Sequence, residues 1–131
     1  MTLSDRIQLK IHHVSIIVAD TTRALGFYSG LLGLKTCDRP NLPFPGAWLQ
    51  LGEQQVHLLE LPNPDSHENR PEHGGRDRHT AFLVNDLDAV QQLLEARDIT
   101  YTLSKSGRRA LFCRDPDGNA VELIQDLSVI S

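Results

Sequence analysis

The stretches HHVSIIVADTTRA (residues 12–24) and RHTAFLVNDLDAV (residues 78–90) share one pattern, and this pattern decides the fold. Each begins with a β-rich segment and continues with apolar residues at helical spacing, so each predicts a strand that leads into a helix. In each strand a histidine, His13 or His79, stands seven residues before an aspartate that is suited to capping the helix. The chain therefore contains one unusual strand-to-helix unit twice.

The segments that follow these two units also repeat. The first helix ends at Gly33, and the second covers residues 87–98. Three further strands follow each helix, and the turn sequences GEQ and DPDGN separate the last two strands of each half. Both halves are thus β-α-β-β-β. The predicted strands are 11–18, 34–38, 47–51 and 55–61 in the first half, and 79–84, 99–104, 109–114 and 120–125 in the second.

The order predicts an α+β fold built from two βαβββ modules. The modules cover about residues 10–62 and 78–127, and the polar segment 63–77 links them within a single domain of 131 residues. A module of this size is too small to bury both faces of its sheet, so the two modules must pack together or on a second subunit.

Composition excludes several classes of function. The net charge of −4 and the absence of long Lys/Arg runs argue against a nucleic-acid partner. No apolar run reaches membrane-spanning length, and MTLSDRIQLK at the start lacks the apolar core of a signal peptide. Two cysteines that form no CxxC pair suit a reducing compartment. We expect a cytoplasmic protein that acts on a small molecule.

The two histidine-bearing strands carry the main chemical signal. His13 to His57 spans 44 residues and His79 to Glu122 spans 43, so the last strands place His57 and Glu122 at equivalent positions. If these side chains converge on the concave face, three imidazoles and one carboxylate form a site for a divalent Zn, Ni, Co, Mn or Fe ion. A lone histidine in a strand is more often a hydrogen-bonded residue than a metal ligand. For His57 the alternative is to support a ligand or contact the substrate without binding the ion.

Other residues are candidates for contacting a substrate. Ser15 lies on the same face of its strand as His13, and Trp48 starts a strand that could wall the pocket, although packing in the core is the alternative. Arg109 belongs to a basic cluster that could hold an anionic group, with solvation as the alternative. His67 and His73 lie in the linker, where solvated side chains are expected.

The segments HHVSIIVADTTRALGFYSGLLGL (12–34), RHTAFLVNDLDAV (78–90) and DPDGNAVELIQ (115–125) together resemble the vicinal oxygen chelate superfamily. This superfamily includes glyoxalase I, bleomycin resistance proteins, fosfomycin resistance enzymes, methylmalonyl-CoA epimerase and extradiol dioxygenases. The likeness extends over about residues 10–127. It implies that the paired βαβββ modules form a cupped mixed sheet and that substrate oxygens chelate open metal positions. Members are often homodimers, and we expect a homodimer here because the chain has too few residues to cover its cupped sheets alone.

The resemblance also implies a ligand set. The family's metal ligands correspond to His13, His79 and Glu122, with His57 at the variable fourth position. Two departures separate the chain from well-known members. Glyoxalase I typically has a glutamate in place of His57 and an arginine, which meets glutathione, in place of Ile17. Fosfomycin resistance enzymes have a tyrosine in place of Phe112.

The leading functional hypothesis is a metal-dependent, glyoxalase-like enzyme of the lyase or isomerase type. Its ion would polarise a substrate oxygen while a carboxylate or water moves a proton. Glu122 is then both a ligand and a candidate base, and His57 is the second candidate catalytic residue. The alternatives are a binding or sequestering protein without chemistry and an Fe(II)-dependent dioxygenase.

Overall fold

The computed structural model describes residues 6–128, which form two four-stranded mixed sheets and few helices. The predicted α+β class and the β-α-β-β-β order of both halves are confirmed. In chain order the elements are β1 (His13–Val18), α1 (Thr21–Leu25) with a π-helical continuation (Gly26–Leu31), β2 (Lys35–Cys37), β3 (Gly46–Leu51), β4 (Gln54–Glu60), a 3₁₀ turn (Gly74–Arg76), β5 (His79–Val84), α2 (Leu87–Ala96), β6 (Thr102–Leu103), β7 (Ala110–Arg114) and β8 (Ala120–Gln125).

The two sheets have the same topology. The N-terminal sheet has the strand order β1-β4-β3-β2, and the C-terminal sheet has the order β5-β8-β7-β6. In each sheet the first and last strands of the half pair in parallel, and the remaining pairs are antiparallel. Each histidine-bearing first strand therefore lies beside the strand that carries His57 or Glu122.

The aspartate of each repeated unit caps the helix that follows it. The side chain of Asp20 accepts a hydrogen bond from the backbone N–H of Arg23, and that of Asp86 accepts one from Ala89. Each bond satisfies one of the N–H groups that a helix leaves unpaired at its start. After the first helix the chain turns at Gly33, whose φ of 81° favours glycine.

The predicted strand over residues 99–104 is reduced to Thr102–Leu103 in the structure. Ile99 and Tyr101, in the segment before it, pack against the hydrophobic core. The second helix also ends earlier than predicted, at Ala96, because the chain turns at Asp98 with a φ of 55°. None of the helices within residues 6–128 has the length and hydropathy that crossing a bilayer requires.

The core lies against one face of each sheet and joins the two halves in one cluster of buried side chains. Strand alternation directs these residues inward and leaves His13, His57, His79 and Glu122 on the opposite faces. The largest fully buried apolar or aromatic side chains are Tyr28, Leu49, Leu58, Leu87, Leu94, Leu111 and Leu123.

Polar contacts connect the DPDGN turn, which precedes β8, to the first half of the chain. The Tyr28 hydroxyl donates to Asp115 Oδ2 at 2.7 Å. Asp117 Oδ1 accepts from the backbone N–H of Ala19 at 3.1 Å and from Arg23 Nη2 at 2.9 Å. Both carboxylates are buried, and these contacts fix the turn against the first half of the chain. Asp117 Oδ2 is also buried but accepts no hydrogen bond from residues 6–128.

Candidate functional site

The C-terminal sheet brings His79 and Glu122 together. β5 and β8 are parallel neighbours in which Ala81 pairs with Glu122, so His79 lies two residues along the same face. His79 Nε2 is 3.2 Å from Glu122 Oε1. The Glu122 residue is only 1% exposed. An almost fully buried carboxylate is costly unless a donor or a cation compensates its charge.

The other ring nitrogen of His79 determines what this pair can bind. His79 Nδ1 lies 2.9 Å from the backbone oxygen of Asp77, and a carbonyl oxygen can only accept a hydrogen bond. The neutral ring therefore carries its proton on Nδ1 and turns the lone pair of Nε2 toward a carboxylate oxygen. Two facing acceptors need either a proton or a cation between them. A backbone carbonyl behind an imidazole is also the usual support of a metal-binding histidine, so the pair fits a divalent ion.

Arg108 contacts the second oxygen of the same carboxylate. Its Nη2 lies 3.2 Å from Glu122 Oε2, while its side chain remains 58% exposed. The neighbouring Arg109, which we expected near a substrate, instead contacts Asp88 and Gln91 on α2. Both arginines lie in the bend before β7, and of the two only Arg108 contacts Glu122.

The N-terminal sheet brings His13, His57 and Trp48 together in a stack. The ring centroid of His57 lies 4.0 Å from that of His13 and 4.0 Å from that of Trp48, with interplanar angles of 16° and 2°. Trp48 and His57 are paired residues of β3 and β4. Trp48 therefore packs flat on the ring of His57, and its contact with a substrate stays a prediction.

His57 is buried and carries a defined tautomer. Its Nε2 lies 2.8 Å from Gln55 Oε1, which can only accept, so Nδ1 is the nitrogen with a free lone pair. Burial lowers the pKa of His57 below its usual value, and the nearby His13, His12 and Arg39 lower it further. The ring is therefore neutral at pH 7, which is the form that binds metal.

The four predicted ligands form two pairs in one chain. Among residues 6–128, no group of three or more His, Cys, Asp or Glu side chains is close enough to hold an ion. The His13 and His57 rings lie face to face, so their nitrogens would have to turn toward a shared ion. A groove of about 380 Å³ has Ser15 on one wall and His79 on another, which places Ser15 beside the C-terminal pair.

The linker histidines are more ordered than the sequence indicated. His67 Nδ1 is 2.8 Å from the backbone oxygen of Asp117. His73 Nδ1 is 2.7 Å from Thr102 Oγ1, and its ring packs edge-on against Phe112 with centroids 5.0 Å apart. The one available sequence signal was the glycine pair that follows His73, because only glycine allows this close approach to Phe112.

Asp77 anchors the end of the linker just before His79. Arg70 Nη1 lies 3.1 Å from its Oδ1, and Arg114 Nη1 lies 2.8 Å from its Oδ2. Burial alone would raise the pKa of Asp77, but the hydrogen bond from Arg114 and the two positive charges lower it overall. The ionised carboxylate thereby fixes the backbone oxygen that orients His79.

Comparison with known proteins identifies the family. The model of the Glyoxalase/Bleomycin resistance protein/Dioxygenase superfamily matches residues 10–123, which include all four predicted ligands. The chain belongs to this superfamily. It is 30% identical to Glyoxylase I 4 of Arabidopsis thaliana over 119 residues, covering 86% of this chain and 68% of that protein. It is 29% identical to lactoylglutathione lyase of Haemophilus influenzae over 133 residues, covering 94% and 97%.

Solved structures of the superfamily have the same fold. A putative glyoxalase family protein from Bacillus anthracis superposes with a TM-score of 0.73 at 21% identity, covering 92% of this chain and 98% of that one. At this level of identity the likeness shows the fold alone. The function has to be argued from the two residue pairs.

Proposed function

We propose that this superfamily member is a metal-dependent enzyme of the glyoxalase type, a lyase or isomerase acting on a small molecule with vicinal oxygens. The observation that carries the proposal is the close approach of His79 Nε2 to the buried carboxylate of Glu122, while Nδ1 of the same ring lies at the backbone oxygen of Asp77. A divalent ion would satisfy both groups at once. The candidate ions are Zn, Ni, Co, Mn and Fe, which bind imidazole and carboxylate donors.

The full ligand set is His13, His57, His79 and Glu122. We propose that a homodimer assembles it, with His13 and His57 from one protomer and His79 and Glu122 from its partner. The separation of the two pairs within one chain supports this arrangement. So do large apolar side chains that this chain leaves exposed, among them Leu51, Leu61 and Leu83.

Each residue has a role in the proposed reaction. When bound, the ion would polarise a substrate oxygen and stabilise the negative charge that develops on it. His57, neutral and held by Gln55, supplies an imidazole or orients the substrate. Glu122 Oε2 is the candidate acceptor for the proton removed from the substrate carbon. Trp48 and Ser15 contact the bound molecule from the N-terminal sheet.

Two unpaired cysteines, Cys37 and Cys113, are consistent with a reducing compartment, so we propose that the enzyme is cytoplasmic.

The first test is metal analysis of protein purified without chelator and then reloaded, followed by a screen of hemithioacetals, 2-keto acids, epoxides and catechols. We expect about one tightly bound ion per protomer, as one complete site per chain requires. Less than a tenth of that amount after reloading would overturn the proposal in favour of a metal-free binding protein. Oxygen consumption with a catechol would instead indicate the dioxygenase.

The second test asks whether one site uses two protomers. His13→Ala and His79→Ala are purified separately and each should lose the ion. In a shared-site dimer, co-refolding them at equal amounts restores one intact site in each heterodimer, so about a quarter of the wild-type ion returns. If each site belonged to one protomer, co-refolding would restore none.

A further inference from the structure

Arg108 is placed differently from the other arginines around the C-terminal pair. Arg70 and Arg114 are both bonded to Asp77, and Arg114 also donates to two backbone oxygens. Among residues 6–128, Arg108 contacts only Glu122, through one of its five N–H groups. It follows Gly107, whose φ is 88°, in the exposed connection between β6 and β7. Its guanidinium can therefore change partners without disturbing the sheet.

Within residues 6–128, Glu122 is the one carboxylate that Arg108 contacts. The nearby Arg70 and Arg114 are already paired with Asp77. A divalent ion on Glu122 would add two positive charges and leave the charge of Arg108 without its carboxylate partner, so an anionic ligand would be attracted to this position.

We infer that Arg108 exchanges partners: it holds the Glu122 carboxylate in the metal-free protein and, once an ion has taken that carboxylate, binds a carboxylate of the substrate. The substrate class is therefore a vicinal-oxygen compound that carries a carboxylate. The inference rests on the proposed metal-dependent function. A carboxylate is the group that Arg108 binds in this structure, and the planar guanidinium fork matches it.

The exchange is first tested by metal affinity. Ni²⁺ is titrated into apo wild type, Arg108→Met and Lys105→Met while the fluorescence of Trp48, the only tryptophan, is followed. Arg108→Met should bind Ni²⁺ about tenfold more tightly, because one charge-assisted contact that competes for Glu122 is gone. Lys105→Met removes the same charge from the same exposed connection and should leave the affinity unchanged.

The substrate class is tested with two chelators that differ by one carboxylate, catechol and 3,4-dihydroxybenzoate, bound to Ni²⁺-loaded protein in a calorimeter. Wild type and Lys105→Met should prefer 3,4-dihydroxybenzoate by about tenfold, and Arg108→Met should show no preference. Arg108→Lys should keep part of it. An equal affinity of wild type for both compounds, or a preference that survives Arg108→Met, overturns the inference.

The same measurements distinguish a failure of the proposed metal-dependent function from a failure of the inference about Arg108. If wild type binds no Ni²⁺, both the metal-dependent function and the partner exchange are wrong. If wild type binds Ni²⁺ but Arg108→Met changes neither the metal affinity nor the chelator preference, only the inference about Arg108 is wrong.

Discussion

Replacing Glu122 by glutamine should have opposite effects on the metal-free and the metal-loaded protein. In the metal-free protein the amide can keep both contacts that the carboxylate makes. Its nitrogen, in place of Oε1, can donate to the lone pair of His79 Nε2, and its oxygen can still accept from Arg108. The variant therefore loses a buried charge without leaving a polar group unpaired.

The magnitudes follow from burial and linkage. Glu122 is 1% exposed, whereas its partner Arg108 is 58% exposed and its attraction is screened by solvent, so removing the buried charge should raise the free energy of unfolding of the metal-free protein by about 1–2 kcal/mol. At an ion concentration of 1,000 times Kd, wild type gains about 4.1 kcal/mol from binding. An affinity loss of about a hundredfold on replacing one direct ligand removes about 2.7 kcal/mol of this gain. For a chain of this size, 1 kcal/mol corresponds to about 3–5 °C in Tm.

The assay is thermal unfolding of wild type, Glu122→Gln and Glu53→Gln at one protein concentration, each with EDTA and with Ni²⁺. Glu53→Gln makes the same charge change at an exposed turn and should follow wild type. The expected pattern is a higher Tm for Glu122→Gln in EDTA and a much smaller rise with Ni²⁺. A variant that is less stable in EDTA, yet responds fully to Ni²⁺, would refute the assignment of Glu122 as a ligand.

Three further predictions concern other residues. Tyr28→Phe removes the hydroxyl that donates to the buried Asp115, so the free energy of unfolding in urea should fall by about 1–2 kcal/mol, and an unchanged midpoint would contradict the role of this bond. Burial, with a smaller effect of Asp115, raises the pKa of the Cys113 thiol to about 12, so its reactive thiolate forms only well above pH 8. Iodoacetamide at pH 8 should therefore modify Cys37 and leave Cys113 intact, which peptide mass mapping would show. His57→Gln should keep the ion, since glutamine still offers an oxygen, but lower the turnover per bound ion; elemental analysis combined with initial rates would show unchanged turnover if His57 only packs.

The fold could be predicted from the sequence because its signals are local. Alternation of apolar residues set the strands, and an aspartate after each histidine-bearing strand marked a helix start that the structure shows as a cap. The repetition of the two halves also indicated which strands are equivalent, which no single segment could show. The strand predicted over residues 99–104 was too long, because its first apolar residues pack into the core without pairing in a β-ladder.

The arrangement of the site could be predicted only in part from the sequence. Sequence spacing predicted that His79 and Glu122 share a face, but it could not tell Arg108 from Arg109, because that choice depends on the register of a single turn. Nor could it show that His73 packs against Phe112, since linker contacts arise from three-dimensional packing without periodicity.

The DPDGN turn shows how the two halves are coupled at the site. As a sequence it predicts only a reversal of the chain, yet Asp115 and Asp117 direct their carboxylates into the first half. The bonds to Asp115 Oδ2 and Asp117 Oδ1 hold the turn against the end of β1 and the first helix at one relative position. Asn119 adds a contact of 3.4 Å to the backbone oxygen of Ile17 on β1. Because β8 begins directly after this turn, the same contacts also set the position of Glu122 relative to β1.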